Sequence, residues 1–128
     1  MKKIVVNIQN GLMKEAVMRM LCGNGEFLPV AIPPGDENDT VSDCLTELAE
    51  IVLFEVSYLP DMTVEKRLRE AKRIRERIPY GKIVFLCDEN SSSDIAHDVM
   101  CAKRDGYIDH FFYSSLDERY MSAMLIAL

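Results

Sequence analysis

The sequence predicts an α/β domain built in three layers, and three observations support this. Five short apolar runs rich in β-branched residues alternate with segments in which apolar residues recur every three or four positions. The runs are almost continuously apolar, as expected for parallel strands covered on both faces. Turn-forming Gly, Pro, Asn and Asp residues separate the segments. The predicted strands span residues 3–6, 27–32, 51–56, 82–86 and 107–112.

A helical stripe of apolar residues follows each predicted strand. Side chains spaced in this way lie on one face of a helix, which can then pack against the sheet. The stripes contain Leu12, Ala16 and Met20; Val41, Leu45 and Leu48; Val64, Leu68, Ala71, Ile74 and Ile78; Ile95, Val99 and Ala102; and Leu116, Tyr120, Ala123, Met124 and Ala127. The expected N-caps are Asn10, Asp39 or Thr40, Thr63, Ser93 and Ser115. Right-handed connections between parallel strands then place helices on both faces of one sheet.

Length and composition restrict the class of protein. The chain has 128 residues, which suits a single domain spanning residues 1–128. A net charge of −6 and a pI of about 4.9 oppose direct nucleic-acid binding, which requires a basic surface. The sequence contains neither a signal-peptide pattern nor an apolar stretch of about 20 residues. We therefore expect a cytoplasmic protein with four reduced cysteines that contacts other proteins and no membrane.

The candidate site lies where the predicted strands end. In doubly wound parallel sheets, ligands bind beyond the carboxyl ends of the strands. The residues at these ends are 7–10, 55–57, 87–90 and 113–115. The first strand is followed by Gly11 alone instead of a glycine-rich nucleotide fingerprint. No cysteine pair has CxxC spacing, and no histidine lies at zinc-ligand spacing from a cysteine.

One predicted helix, the third, carries a local excess of positive charge. The segment "TVEKRLREAKRIRERI" contains seven basic and three acidic residues, a local net charge of +4. One interpretation is a solvated outer face with pairs four residues apart, such as Glu65–Arg69. The alternative is a docking surface for an acidic partner or, as a weaker choice, for nucleic acid.

Four segments together resemble the receiver domains of bacterial two-component response regulators. They are "KKIVVNIQNGLMKEAVMRML", "AEIVLFEVSYLPDMT", "GKIVFLCDEN" and "DGYIDHFFYSSLDERYMSAMLIAL". The first is most similar to receivers that precede LuxR-type output domains, and the resemblance extends over the whole chain. It implies a flavodoxin-like (βα)5 fold, a three-layer α/β/α sandwich with parallel strand order 2-1-3-4-5.

The resemblance also implies a position for a phosphoryl acceptor. Receivers carry a nucleophilic aspartate at the end of the third strand, and that position falls on Glu55. Pro60 lies one residue further along than is usual in the family, which leaves Val56 as a second candidate. We expect Glu55 to be a structural carboxylate at the edge of the sheet. A sharper hypothesis is that its longer side chain permanently mimics a phosphorylated aspartate.

The positions that would assist phosphoryl transfer are all changed. The acidic pair that holds Mg²⁺ in receivers falls on Asn7 and Gln9, with Ile8 competing for the two places. The hydroxyl position falls on Cys87, and the lysine position falls on Tyr113. Without these groups, nothing offsets the repulsion between a carboxylate and an anionic phosphoryl donor. We therefore expect no catalytic residue, no metal, no cofactor and no enzymatic activity.

The expected function is a receiver-like signalling domain that has lost phosphorylation and acts by protein contact. Its partner would be a signalling protein, an output domain or a second copy bound through the last strand and helix. The expected partner face comprises Tyr107, His110, Tyr120, Met121, Met124, Leu125 and Leu128. Two alternatives stay open: a receiver that is still phosphorylated, and a small-ligand module at the strand ends. The ligand module would use Asn7, Gln9, Glu55, Asp88, Glu89 and Tyr113, and Glu55 would accept hydrogen bonds from Asn7, Gln9 or Tyr113.

Overall fold

The structure, a computed structural model, describes residues 1–88, 92–115 and 117–128, and these contain five strands. The first four agree with the predicted strands to within one residue at either end, because buried β-branched runs define them. The strands are β1 (Lys2–Asn7), β2 (Phe27–Ala31), β3 (Ile51–Val56), β4 (Lys82–Cys87) and β5 (His110–Tyr113).

The fifth strand begins three residues later than predicted. Gly106 adopts a φ of +82°, a left-handed conformation that favours glycine, and turns the chain before the strand. The Asp109 carboxylate accepts a hydrogen bond from the Ile83 N–H at 2.8 Å. In a longer strand, a main-chain carbonyl of β5 would accept this bond from β4. Residues 107–109 therefore form a bend instead of the predicted strand.

A helix follows each strand, as the apolar stripes predict. The helices are α1 (Gly11–Cys22), α2 (Glu37–Thr46), α3 (Val64–Arg77), α4 (Ser93–Arg104) and α5 (Glu118–Ala127), with a 3₁₀ turn at Pro60–Met62. The N-caps Asn10 and Thr63 are confirmed. The other three N-caps are not the predicted residues: they are Asp36, Ser92 and Asp117. Helix α2, for example, begins earlier because Asp36 accepts hydrogen bonds from the N–H groups of Asn38 and Asp39. Leu116 lies outside the described residues.

The sheet is parallel with strand order β2-β1-β3-β4-β5, so the predicted flavodoxin-like (βα)5 topology is confirmed. In β3, alternate side chains enter two apolar clusters on opposite faces. Helices α2, α3 and α4 cover the face that contains Phe54 and Val56, while α1 and α5 cover the face that contains Leu53. Burial on both faces explains why this strand is continuously apolar up to Glu55.

Within the described part of the chain, no helix is long and apolar enough to cross a membrane.

Candidate functional site

The carboxyl ends of the central strands meet at one edge of the sheet. Strand β3 pairs with β1 on one side and β4 on the other, with Glu55 opposite Leu86 and Val56 opposite Cys87. Because the strands are parallel, the loops that follow β1, β3 and β4 lie next to each other. This juxtaposition builds the site around the end of β3.

The Glu55 carboxylate is held by the main chain of the loop between β1 and α1. Its Oε1 atom accepts hydrogen bonds from the N–H groups of Gln9 at 2.7 Å and Asn10 at 3.2 Å. The residue is only 9% exposed. Asn10 caps α1, so the carboxylate also lies close to the positive end of that helix. Asn7, Gln9 and Tyr113 were considered as hydrogen-bond donors to this side chain. Of these, Gln9 donates, through its main-chain N–H instead of its amide side chain.

Val56, the competing acceptor position, has a different environment. Its side chain is buried in the apolar cluster beneath α2, α3 and α4. Of the two candidates, Glu55 alone brings a polar group to the end of the sheet.

The Asn7 and Gln9 side chains diverge. Asn7 is fully buried, and its Nδ2 donates to the Ile32 carbonyl at 3.0 Å, which fixes the exit of β2. Its Oδ1 has no hydrogen-bond partner among the described residues. Gln9 is exposed beside Glu55, whereas Ile8 is buried in the core. The two positions that would hold Mg²⁺ in a receiver therefore do not converge here.

Cys87 is a structural thiol. It is fully buried, and its Sγ donates to the Phe112 carbonyl at 3.6 Å. Burial, with a smaller contribution from the charge of Asp88, raises the pKa of Cys87 to about 11. The thiol is thus protonated at neutral pH and is a poor nucleophile.

The structure adds a buried cation that the sequence interpretation placed on a solvated helix face. Arg67 of α3 is fully buried, with its guanidinium 4.6 Å from the centre of the Phe54 ring. Its Nε donates to the Glu55 carbonyl at 2.9 Å, and its Nη2 donates to the Asn7 carbonyl at 3.4 Å. One side chain therefore joins the ends of β1 and β3 directly beneath the site.

Arg67 belongs to a buried ion-pair network with Lys66 and Glu70. Its Nη1 pairs with Glu70 Oε1 at 3.1 Å, and Lys66 pairs with Glu70 Oε2 at 3.1 Å. Lys66 also donates to the carbonyls of Gly35 at 2.6 Å and Asp61 at 3.1 Å. Burial lowers the pKa of Arg67, while the charges of Glu70 and Glu55 act in the opposite direction. Arg67 is joined to Glu55 through the main-chain carbonyl of that residue.

The helical spacing of α3 contains an indication that Arg67 is buried. The predicted stripe ran from Val64 through Leu68 to Ala71, but a step of three from Val64 reaches Arg67 instead. Both steps are compatible with a helix, and apolarity favoured Leu68, which is only partly buried. Glu70 lies on the same helix, but the two carbonyls that Arg67 binds lie on β1 and β3, so helical periodicity alone could not identify them.

Three of the five remaining basic residues of α3 form ion pairs within the molecule. Arg69 and Arg73 both bind Glu37 of α2, at 3.0 and 3.1 Å, so the predicted Glu65–Arg69 pair is replaced by a pair between helices. Arg75 pairs with Asp109 before β5. These intramolecular pairs reduce the positive surface that was considered for an acidic partner.

A cavity of about 390 Å³ opens beside Glu55. Apolar side chains from α1, α4 and the loop after β3 form its walls, with polar groups between them. The lining comprises Gln9, Asn10, Met13, Glu55, Val56, Ser57, Tyr58, Leu59, Met62, Asp88, Ser92 and Ile95. Of the residues proposed for a ligand module, Gln9, Glu55 and Asp88 come together here, whereas Asn7 and Tyr113 do not. Glu89 lies outside the described residues.

Tyr113 lies on a second surface, a groove between α4 and α5 along the edge strand β5. It packs edge-on against Phe111. The groove is lined by Lys103, His110, Phe111, Tyr113 and Tyr120. This set, called the β5 groove below, contains two members of the predicted partner face, His110 and Tyr120.

Five other residues of the predicted partner face lie elsewhere. Met121 and Leu125 are buried in the core, because they occupy the stripe of α5 that faces the sheet. Met124 and Leu128 pack partly against the same core. Tyr107 is exposed, but it lines a different depression with residues of α3, because it precedes β5. Met121 and Leu125 are therefore not available to a partner in this fold, and the rest of the predicted face stays a prediction.

No protein-family model and no curated protein matches the sequence. Solved structures match through their fold. A CheY-like protein, tadZ, from Pseudomonas aeruginosa PAO1 has a TM-score of 0.72 at 11% identity, over 98% of this chain and 97% of that one. The REC domain of AraT, a response regulator from Geobacillus stearothermophilus, has a TM-score of 0.73 at 16% identity, over 98% and 90% of the two chains.

A third similar structure is described as representing a family of redox sensors in the streptococci that evolved from two-component response regulators. Its TM-score is 0.75 at 15% identity, over 99% of this chain and 50% of that one. The strand order defines the fold as flavodoxin-like. Among flavodoxin-like folds it is the receiver, or CheY-like, fold, as the sequence resemblance predicted.

Proposed function

We propose that the protein is a receiver-like signalling module that acts by protein contact and does not depend on phosphorylation. The observation that carries this proposal is the state of Glu55. Its Oε1 atom is bound by two main-chain N–H groups, and its main-chain carbonyl accepts a hydrogen bond from the buried Arg67. A carboxylate used in this way is a poor nucleophile toward a phosphoryl donor, because attack would remove the charge that its partners stabilise.

The surroundings of Glu55 support the same proposal. A phosphoryl donor is anionic and requires cations to offset its charge. In residues 1–88, 92–115 and 117–128, no group of three or more His, Cys, Asp or Glu side chains is placed to hold a metal ion. Arg67 is fully buried, with its donors directed to Glu70 and to main-chain carbonyls. The network thus joins the ends of β1 and β3 without an external ion.

The β5 groove is the proposed contact surface. Its aromatic side chains are partly exposed along an edge strand, with Tyr120 at 48% exposure. Aromatic residues that stay accessible at a surface are typical of protein interfaces. Receivers commonly signal through the region formed by their fourth helix, fifth strand and fifth helix. The streptococcal redox sensors described above give a precedent for a receiver fold in another sensing role.

The proposal is tested by partner capture with matched surface variants. Wild type, Tyr120→Glu and Tyr80→Glu proteins are immobilised, and co-purified proteins are identified and then titrated individually. Tyr80 is 63% exposed at the opposite end of the sheet, so it provides an equal change of charge and size. We expect at least a tenfold loss of partner affinity for Tyr120→Glu alone. Equal affinity for all three proteins would refute the β5 groove as the contact surface.

The alternative of an active phosphoryl acceptor is tested separately. The protein is incubated with acetyl phosphate and Mg²⁺, and its intact mass is measured, with a known receiver as the positive control. We expect no phosphoryl adduct. An adduct located at Glu55 would overturn the proposal.

A small-ligand module is the second candidate function. The 390 Å³ cavity beside Glu55 favours it, because apolar walls with a few convergent polar groups are typical of ligand sites. Titration with small-molecule probes, as designed below, tests this candidate.

A further inference from the structure

We propose that the cavity beside Glu55 binds an amphipathic organic cation, a primary ammonium or guanidinium group on an apolar body. Glu55 is the counterion of the bound cation. This inference rests on the second candidate function and gives it a ligand class. It is independent of the β5 groove.

The Glu55 carboxylate provides one occupied and one available oxygen. Oε1 receives the two N–H groups of Gln9 and Asn10, which fixes the orientation of the carboxylate. Oε2 receives no hydrogen bond from the residues that the structure describes, and it is not one of their buried unpartnered atoms, so it is accessible from the cavity that Glu55 lines. A carboxylate oxygen that opens into a largely apolar cavity favours a ligand that supplies a charged donor, because charge-assisted hydrogen bonds are the stronger ones.

The walls of the cavity determine the body of the ligand. Met13, Leu59, Met62 and Ile95 contribute apolar surface from α1, the 3₁₀ turn region and α4. Methionine side chains adapt to irregular apolar shapes. The volume of about 390 Å³ falls within the range of small-molecule sites and suits a compact aromatic or alkyl group.

The charges of the lining favour a cation over an anion. The lining includes two carboxylates, Glu55 and Asp88, and no Lys or Arg among its described members. Arg67 lies beneath the cavity floor, but its donors are directed to Glu70 and to main-chain carbonyls.

Two helix N-termini also lie at the cavity, and these would ordinarily attract an anion. Several N–H groups near these termini already have partners. Glu55 occupies Gln9 and Asn10 before α1, and the Asn10 side chain accepts from Met13. At α4, the Ser92 hydroxyl accepts from Ile95. The Glu55 carboxylate in the lining then repels an anion and attracts a hydrogen-bond-donating cation.

The test uses three probes of similar size and different charge: 2-phenylethylammonium, 2-phenylethanol and 3-phenylpropanoate. Each is titrated into ¹⁵N-labelled full-length protein at concentrations up to about 10 mM, a range that detects weak binding. We expect the ammonium probe to shift the amide resonances of Gln9, Asn10 and Ser57 and to bind at least tenfold tighter than the alcohol. The carboxylate should bind most weakly. Equal affinities, no binding, or shifts confined to other surfaces would overturn the inference.

Matched variants locate the binding to this cavity. Glu55→Gln should weaken the ammonium probe at least tenfold, whereas Glu65→Gln, which removes an exposed carboxylate on α3, should leave its affinity unchanged. Ile95→Trp fills the cavity and keeps Glu55, so it should also abolish binding of the ammonium probe. If Glu55→Gln does not fold, Ile95→Trp alone tests whether the probe binds in this cavity. Wild-type affinity in both cavity variants would refute the site.

Partner binding through the β5 groove and cation binding beside Glu55 are tested independently. If the probes do not bind, the result of partner capture with Tyr120→Glu is unaffected. If no partner is captured, the result of the probe titration is unaffected.

Discussion

The site around Glu55 and the β5 groove differ in how their polar and aromatic groups are used. Beneath Glu55, the buried charges of Lys66, Arg67 and Glu70 bind one another, and Arg67 alone links two strands. In the β5 groove, Tyr120 is nearly half exposed and its ring contact is with Phe112 at 6.2 Å. The charged groups of the first region are mostly bound within the molecule, while the aromatic groups of the second keep exposed surface. We therefore expect substitutions to affect stability more strongly at the strand ends than at the sheet edge.

The largest expected effect is at Arg67. Arg67→Met should lower the free energy of unfolding by roughly 3–5 kcal/mol, because it removes one of the two cations paired with the buried Glu70 and leaves the buried carbonyls of Asn7 and Glu55 without a donor. Urea unfolding monitored by circular dichroism measures the loss. The control is Arg77→Met on the exposed end of α3, with an expected change within about 0.5 kcal/mol. A similar small change for both variants would mean that the buried network contributes no more than surface charge.

A smaller effect is expected at Glu55. Glu55→Gln should lower the free energy of unfolding by about 2 kcal/mol, because two charge-assisted hydrogen bonds to Gln9 and Asn10 are weakened. Amide hydrogen exchange should also become faster at those two residues. Glu65→Gln serves as the control in both measurements. If exchange at Gln9 and Asn10 stays at the wild-type rate, the carboxylate does not hold the loop.

The β5 groove should tolerate change. Tyr120→Ala should alter the free energy of unfolding by no more than about 1 kcal/mol, because the ring is 48% exposed and its edge-on pair with Phe112 is a modest interaction. Thermal unfolding measures this, with Phe112→Ala as the comparison. Phe112 is fully buried, and its truncation should cost about 3 kcal/mol or more. Equal losses would mean that the groove is part of the core.

The smallest effect is a pH dependence at His110. Partial burial and the nearby charge of Lys103 lower the pKa of His110. The unfolded chain therefore takes up a proton more readily than the fold, so this stabilisation is present above the ordinary histidine pKa of about 6.5 and is lost below it.

Unfolding of wild type, His110→Gln and His97→Gln at pH 7.5 and 5.5 measures the contribution. We expect His110→Gln to reduce the loss of stability at acidic pH by less than about 1 kcal/mol. His97→Gln changes the exposed histidine and provides the control. An unchanged or steeper dependence in His110→Gln would contradict the assignment.

The sequence by itself determined the order of elements. Apolar runs and stripes of period 3.6 are local properties, so four strands, the five helices and the three-layer arrangement followed from them. The strand order followed from a resemblance of patterns and is confirmed. The fifth strand was predicted too long, because its start depends on a contact between Asp109 and Ile83 from a neighbouring strand.

Only the tertiary structure decided what the charged residues do. In the sequence, Arg67 is one of seven similar cations on α3, and Glu55 is a lone acid at a strand end. The fold brings main-chain groups of residues 7–10 against side chains 45 to 60 positions further along the chain. Hydrogen bonds and ion pairs depend on such distances and on exclusion of water, neither of which a local pattern contains. That is why periodicity could describe this sheet, while only its three-dimensional packing shows which groups bind Glu55 and Arg67.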